Sequence, residues 1–133
     1  MTDTRTDLST LRDLVRAHDI AMLATLDGDG QFEARPMALQ DFDDQGRLWF
    51  FTEFDAPKAD QDFADPRALV TFIGKNYLSI HGKASVVRDP ERQTQLWNKA
   101  AEAWLQCEPT DAEVALLVVD AEQYRAVRSS TRG

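Results

Sequence analysis

Apolar residues along this chain recur with two periods, and the alternation between them sketches the elements. Leu8, Leu11, Leu14 and Val15 fall at helical spacing, which predicts a helix over Thr6 to His18 with one apolar face. Ile20 to Leu26 is a short apolar run suited to a buried strand. Asp27-Gly28-Asp29-Gly30 is a turn signal, because glycine reaches positive φ without steric penalty. Phe32 to Gln40 returns as a second strand, so the two form a hairpin. Pro36 lies inside that second strand and has no N–H to give to a ladder, which marks an edge or a bulge there.

A turn around Gly46, within Asp41 to Arg47, leads into a third strand, Leu48 to Thr52, dense in aromatic residues. Asp55 is an N-cap candidate for a short helix over Ala56 to Ala64, with Pro57 in its first turn, and Asp65-Pro66 ends it. Ala68 to Ile73 reads as a fourth strand and Gly74-Lys75-Asn76 as a turn. Tyr77 to Val87 is a long fifth strand, with a bulge expected at Gly82. Asp89-Pro90 opens the longest helix, whose apolar face is Trp97, Ala100, Ala101 and Trp104 and which fades near Gln106. Val114 to Val119 is a sixth strand, Gln123 to Val127 a seventh, and Ser129 to Gly133 a frayed tail. Many strands, short turns and few helices predict a mainly β fold: a small barrel with helices on its rim. No repeat, low-complexity segment or linker interrupts the pattern, so residues 1–133 read as a single domain.

Composition narrows the function. Fifteen basic residues against 23 acidic ones give a net charge of −8, which disfavours nucleic acid and anionic membrane surfaces. A local basic pocket for one small phosphate remains compatible with it. The single cysteine, Cys107, excludes an intrachain disulfide and a paired-cysteine zinc site, and suits a reducing compartment. Met1 to Asp7 is polar and lacks the apolar core of a signal peptide. No apolar run approaches the ~20 residues of a membrane helix, so a soluble cytoplasmic protein is expected.

The densest candidate chemistry runs from Arg35 to Lys58. Two half-buried strands there lead into a helix start that carries a lysine, Lys58. Free N–H groups and the positive dipole end make such a helix start an anion site. Arg35 stands in an otherwise apolar strand, where it faces solvent, pairs with Glu33 or Asp41, or grips a phosphate bidentately. Thr52 adds a hydroxyl on the neighbouring strand. Trp97 and Trp104 lie on one helical face and read as core or as a cover for a ligand. His18 and His81 are isolated, with no third ligand evident, so no metal site is expected. Cys107 has no histidine-bearing motif beside it, and no Gly-rich phosphate loop occurs.

Arg35-Pro36-Met37-Ala38-Leu39-Gln40, Phe51-Thr52 and Asp55-Ala56-Pro57-Lys58, in that order, resemble the flavin-binding split barrels of the pyridoxamine phosphate oxidase superfamily. The short general stress protein branch is the nearest in pattern, through Trp97-Asn98 and Ala103-Trp104, and the likeness runs from Ile20 to about Tyr124. The resemblance implies a six- to seven-stranded antiparallel split β-barrel that pairs as a homodimer, with flavin mononucleotide (FMN) in grooves between subunits. It implies Arg35 and Lys58 as phosphate ligands and Pro36, Met37 and Gln40 along the flavin edge. It places Phe51 and Thr52 on the second binding strand, and Tyr77 and Trp104 near the ring. Four positions depart from the pattern: Ala56 where relatives often carry serine, Gln40 where longer oxidases carry lysine, His81 where a smaller residue is common, and Arg125 where tryptophan follows the tyrosine. No histidine follows His81, whereas true pyridoxamine phosphate oxidases hold substrate with a C-terminal arginine and histidine; vitamin B6 oxidation is therefore not expected. The implied function is an FMN-dependent oxidoreductase on an unknown small substrate. The alternatives are a non-catalytic flavin-binding stress protein and a deazaflavin-binding or cofactor-free dimeric homologue.

Overall fold

The structure, a computed structural model, describes residues 8–53, 65–74, 76–98, 108–109 and 114–128. Helix α1 (Leu8–Val15) precedes strands β1 (Ile20–Leu26), β2 (Phe32–Phe42), β3 (Arg47–Glu53), β4 (Asp65–Ile73) and β5 (Asn76–Val87). Helix α2 (Pro90–Leu96) and strand β6 (Val114–Arg128) complete the order. All paired strands are antiparallel, and they close into a barrel in the order β1-β2-β3-β6-β5-β4. The mainly β architecture with peripheral helices is the one that the alternation of apolar and polar residues predicts.

Strand β4 begins at Asp65, so Asp65-Pro66, expected to stop a helix, opens the strand instead, and two further elements differ from the sequence pattern. The expected sixth and seventh strands are one strand of 15 residues, β6. Its register against β5 shifts by one between His81 and Gly82: His81 faces Gln123 and Gly82 faces Ala121, so Glu122 is the extra residue. The bulge expected at Gly82 thus lies opposite it, on β6, and bends a continuous strand rather than ending it. The second difference is the long helix. It stops at Leu96, and Trp97 caps it in an extended conformation (φ −65°, ψ 138°) with its N–H on Thr94 O at 3.3 Å. Trp97 is therefore off the helical face that its spacing suggests. The expected helix over Ala56 to Ala64, the remaining face residues Ala100, Ala101 and Trp104, and the C-terminal tail lie outside the described residues.

The barrel interior follows strand alternation. Ala21 and Leu23, Leu48 and Phe50, Val70 and Phe72, Leu78 and Ile80, and Leu117 and Val119 point inward and form one cluster. Leu11 and Val15 of α1 join it, so α1 plugs one end of the barrel. Fully burying a side chain of this size stabilises by about 1.5–3 kcal/mol. A smaller cluster of Trp49, Leu116 and Val118, with Phe51 and Leu96, lies on the outer face of β3 and β6 under α2.

Two turns share one design. Asp27 Oδ1 accepts from the backbone N–H of Asp29 (2.8 Å) and Gln31 (3.0 Å), and Gly30 has φ +78°. Asp43 Oδ1 accepts from Gln45 (2.9 Å) and Arg47 (3.0 Å), and Gly46 has φ +81°. In both, an aspartate replaces ladder bonds and glycine takes the left-handed position. Asp43 does more. Its Oδ2 also accepts from Arg47 Nε and Trp49 Nε1, each at 2.9 Å. Burial pushes the Asp43 carboxyl up, but hydrogen bonds from the Trp49 indole, the Arg47 and Gln45 amides and the Arg47 side chain hold it below the usual carboxylate range.

Two stability outcomes follow. Asp43→Ala removes bonds to a charged group and leaves the Trp49 indole N–H without its acceptor, and is expected to cost about 2–3 kcal/mol in a urea melt. Gly82→Ala places a β-carbon onto the Asp120 carbonyl oxygen, against backbone that has no rotamer with which to yield. It is expected to cost about 1–3 kcal/mol, measured the same way.

Candidate functional site

Strand β2 has two neighbours but serves them unequally. It pairs with β1 over seven residues, from Phe32 against Leu26 to Ala38 against Ile20. It pairs with β3 only at Leu39, Asp41 and Phe42, with the register shifting past Gln40. Beyond that bulge β2 and β3 part. Continuing the ladder would set Met37 and Ala38 opposite Thr52 and Phe51, and those pairs do not form. The start of β2 and the end of β3 therefore border a gap in the wall, toward the barrel end opposite α1.

Pro36 fits this edge. Leu39 N donates to Asp19 O of the segment leading into β1 at 2.9 Å, so alternate residues Met37 and Arg35 direct their backbone groups toward β1. Pro36, three positions before Leu39, faces the open side, where a missing N–H costs no ladder bond. Its side chain is exposed, and Met37 packs partly buried against the core.

Arg35 shares the inward parity of Met37 and Leu39. Its guanidinium donates to Thr25 Oγ1 at 2.9 Å, to Glu33 O at 3.0 Å and to Leu23 O at 3.4 Å. Neither Glu33 nor Asp41 pairs with it through a carboxylate; Asp41 pairs instead with Arg92 at 2.9 Å. Arg35 is thus oriented by neutral oxygens, and among the described residues no carboxylate forms an ion pair with it. A half-buried cation held this way keeps its attraction for an anion. Thr25, 2% exposed, is the partner that sequence reasoning missed. Its only signal is a hydroxyl in the apolar run from Ile20 to Leu26.

Across the gap, Thr52 has the parity of buried Leu48 and Phe50 and so faces inward like Arg35. Phe51 has the opposite parity, and its ring meets Trp97 edge-on at 5.0 Å between centroids. Gln40, the bulge residue, donates to Ala38 O at 3.3 Å and accepts from Asn98 Nδ2 at 2.8 Å. The two residues that follow α2 therefore lie across the point where β2 and β3 separate. Lys58, six positions after Thr52, Ala56 and Trp104 lie outside the described residues.

Tyr77 is not brought to this gap within one chain. It sits on β5, which adjoins neither β2 nor β3, and its side chain is on the outer face, 45% exposed. His81 and Arg125 are likewise exposed on outward positions of β5 and β6. His18 stacks on Phe72 at 5.1 Å and lies 2.9 Å from Asn76 Oδ1 through Nε2, far in the fold from His81.

A separate surface cavity of about 360 Å³ is lined by Asp43, Asp44, Gln45, Arg47, Trp49 and Arg92. Both of its arginines are already paired, Arg47 with Asp43 at 2.9 Å and Arg92 with Asp41 at 2.9 Å, and both guanidiniums lie over the Trp49 ring. Its charges are internally matched, and it braces the β2–β3 turn.

Comparison with known proteins shows the fold and the family. A general stress FMN/FAD binding protein of Xanthomonas citri superposes with a TM-score of 0.71 at 31% identity, over 86% of this chain and 84% of that one. A protein of Clostridium acetobutylicum related to general stress protein 26 superposes with a TM-score of 0.76, over 91% of this chain and 87% of that one, at 18% identity, and shares the fold. A pyridoxine/pyridoxamine 5'-phosphate oxidase of Pseudomonas putida is 46% identical over 51 residues, 38% of this chain, and the match spans less than a quarter of that protein, 23% of its length. The family model described as pyridoxamine 5'-phosphate oxidase like matches residues 6–131. The chain belongs to the pyridoxamine 5'-phosphate oxidase-like family.

Proposed function

We propose that this protein binds FMN at the β2–β3 gap and acts as a flavin-dependent oxidoreductase on a small substrate. The observation that carries the reading is Arg35: a cation oriented by Thr25 and two carbonyls, with no carboxylate paired to it among the described residues, beside a break in the barrel wall. That arrangement suits a phosphate. Thr52 on the facing strand and Lys58 beyond it would complete the anion site. Pro36, Met37, Gln40 and Phe51 line the gap with the apolar surface and amide groups that a flat ring needs. The Xanthomonas citri relative, described as FMN/FAD binding, supports a flavin over other phosphates.

A bound flavin would supply the redox chemistry, and the chain would supply binding, orientation and exclusion of water. This reading assigns no proton transfer to the side chains of Arg35, Pro36, Met37, Gln40, Phe51 and Thr52. The alternative is a non-catalytic flavin-binding protein. Substrate-dependent bleaching of the bound flavin separates the two.

The outer face suggests how the gap is covered. Ile20 and Met22 on β1, Ile73 on β4, Tyr77 on β5 and Val127 on β6 are all between 42% and 77% exposed. Ile73 is opposite Tyr77, Tyr77 opposite Val127, and Ile20 and Met22 opposite Ala38 and Pro36 of β2. One apolar band thus reaches the open edge of β2. Such a band is larger than scattered surface residues explain, and a second copy of this chain is the partner we assign to it. A homodimer of this kind would set Tyr77 of one subunit near the gap of the other.

Arg35→Ala and Lys58→Ala are each expected to weaken FMN binding by about 1.5–3 kcal/mol, the value of a charge-assisted hydrogen bond. Riboflavin, which lacks the phosphate, is expected to be indifferent to both changes. Fluorescence quenching titrations read both ligands, and an unchanged FMN affinity removes that residue from the site. Light scattering at micromolar concentration is expected to give twice the monomer mass, and Ile73→Asp to halve it. A monomeric wild-type protein would discard the shared-groove arrangement.

A further inference from the structure

A single buried amide joins three parts of the chain beside the gap. Gln93 is fully buried, and with Thr25 it is one of two polar side chains so placed among the described residues. Its Oε1 accepts from Asp89 N at 2.9 Å, while its Nε2 donates to Pro109 O at 2.6 Å and to Val114 O at 3.4 Å. A buried amide is costly unless both ends are satisfied, and a satisfied one rigidifies the groups it joins. Here those groups are the start of α2, the Pro109 backbone and the first residue of β6.

Helix α2 has only seven residues, too few to hold a direction by itself. Its start is fixed by Gln93 and by Asp89 Oδ1, which accepts from Arg92 N at 3.1 Å. Its flank is held by the Arg92–Asp41 pair. Where it ends, Trp97 turns out against Phe51 and Asn98 reaches Gln40. The direction of α2 therefore decides where these two contacts fall, one on each side of the gap.

We infer that Gln93 is a positioning residue for the flavin site: through α2 it sets Trp97 and Asn98 against Phe51 and Gln40 and so fixes the surroundings of the bound ring. The inference rests on the reading of the gap as a flavin site. Gln93 touches no ligand itself, and its effect is on the ring end of the site rather than on the phosphate end at Arg35.

The test uses the full chain with Gln93→Met, which keeps side-chain length and loses all three hydrogen bonds. FMN affinity, the visible circular dichroism of saturated FMN and amide hydrogen exchange at Trp97 and Asn98 are measured together. At a temperature where the variant is folded, the expected result is an FMN affinity at least fivefold weaker, a reduced visible signal at saturation and faster exchange at both amides. A folded variant with wild-type affinity and an unaltered visible signal overturns the inference. Asn98→Ala serves where Gln93→Met does not fold, because it cuts the contact to Gln40 without opening the core. It is expected to reduce the visible signal of saturated FMN in the same way, and an unaltered signal overturns the inference. A wild-type protein that quenches no FMN refutes the flavin reading instead. Exchange at Trp97 and Asn98 in Gln93→Met then decides alone: faster exchange retains Gln93 as the residue that positions them, and unchanged exchange overturns it.

Discussion

The Gln40 bulge marks the place where β2 passes from one neighbour to the other, and the proposed site depends on that. With one extra residue between Leu39 and Asp41, the strand leaves β3 after Leu39 and pairs with β1 from Ala38 to Phe32. The barrel remains closed through the short Leu39–Phe42 pairing, and Leu48 and Phe50 stay fully buried. Past Leu39 the backbone groups of β2 that face β3 make no ladder bonds to it. Proline is tolerated at Pro36 for the same reason: the N–H that it lacks would have pointed into the gap.

Holding such a gap open requires bracing from outside it. Asp43 fixes the β2–β3 turn through two backbone amides, a guanidinium and an indole. Arg12 ties α1 to the same turn through Asp43 O and Asp44. Arg92 links α2 to Asp41 and covers Trp49, and its buried Nε has no hydrogen-bond partner among the described residues, which the cation–π contact partly offsets. These polar contacts converge on one end of the hairpin, so the other end can diverge without loss of register.

Arg35 shows how charge is kept available. A guanidinium paired with a carboxylate is already neutralised and offers an anion little. Thr25, Leu23 O and Glu33 O orient Arg35 and leave its charge in place. The contrast with the Asp43 and Arg92 cluster is instructive, because there each cation has its own aspartate and the cavity between them is electrically closed.

The first five strands, the turn chemistry and the family pattern are legible in the sequence, because they depend on local periodicity, on glycine and aspartate at defined offsets, and on short motifs in a fixed order. It placed Arg35, Thr52 and Lys58 together as candidates by their order alone. What each side chain faces is set by the closed barrel. It made one bent strand of the expected last two, because the bulge at Glu122 depends on a partner strand that local propensity does not see. It ended the long helix at Leu96, where Trp97 turns to an extended conformation and meets the Phe51 ring across the chain. It gave Arg35 its neutral partners and Gln93 its three, since both depend on strands and segments brought together from distant parts of the chain. Such contacts have no local signature: a threonine in an apolar run and a glutamine in a polar helix look ordinary until the barrel closes around them.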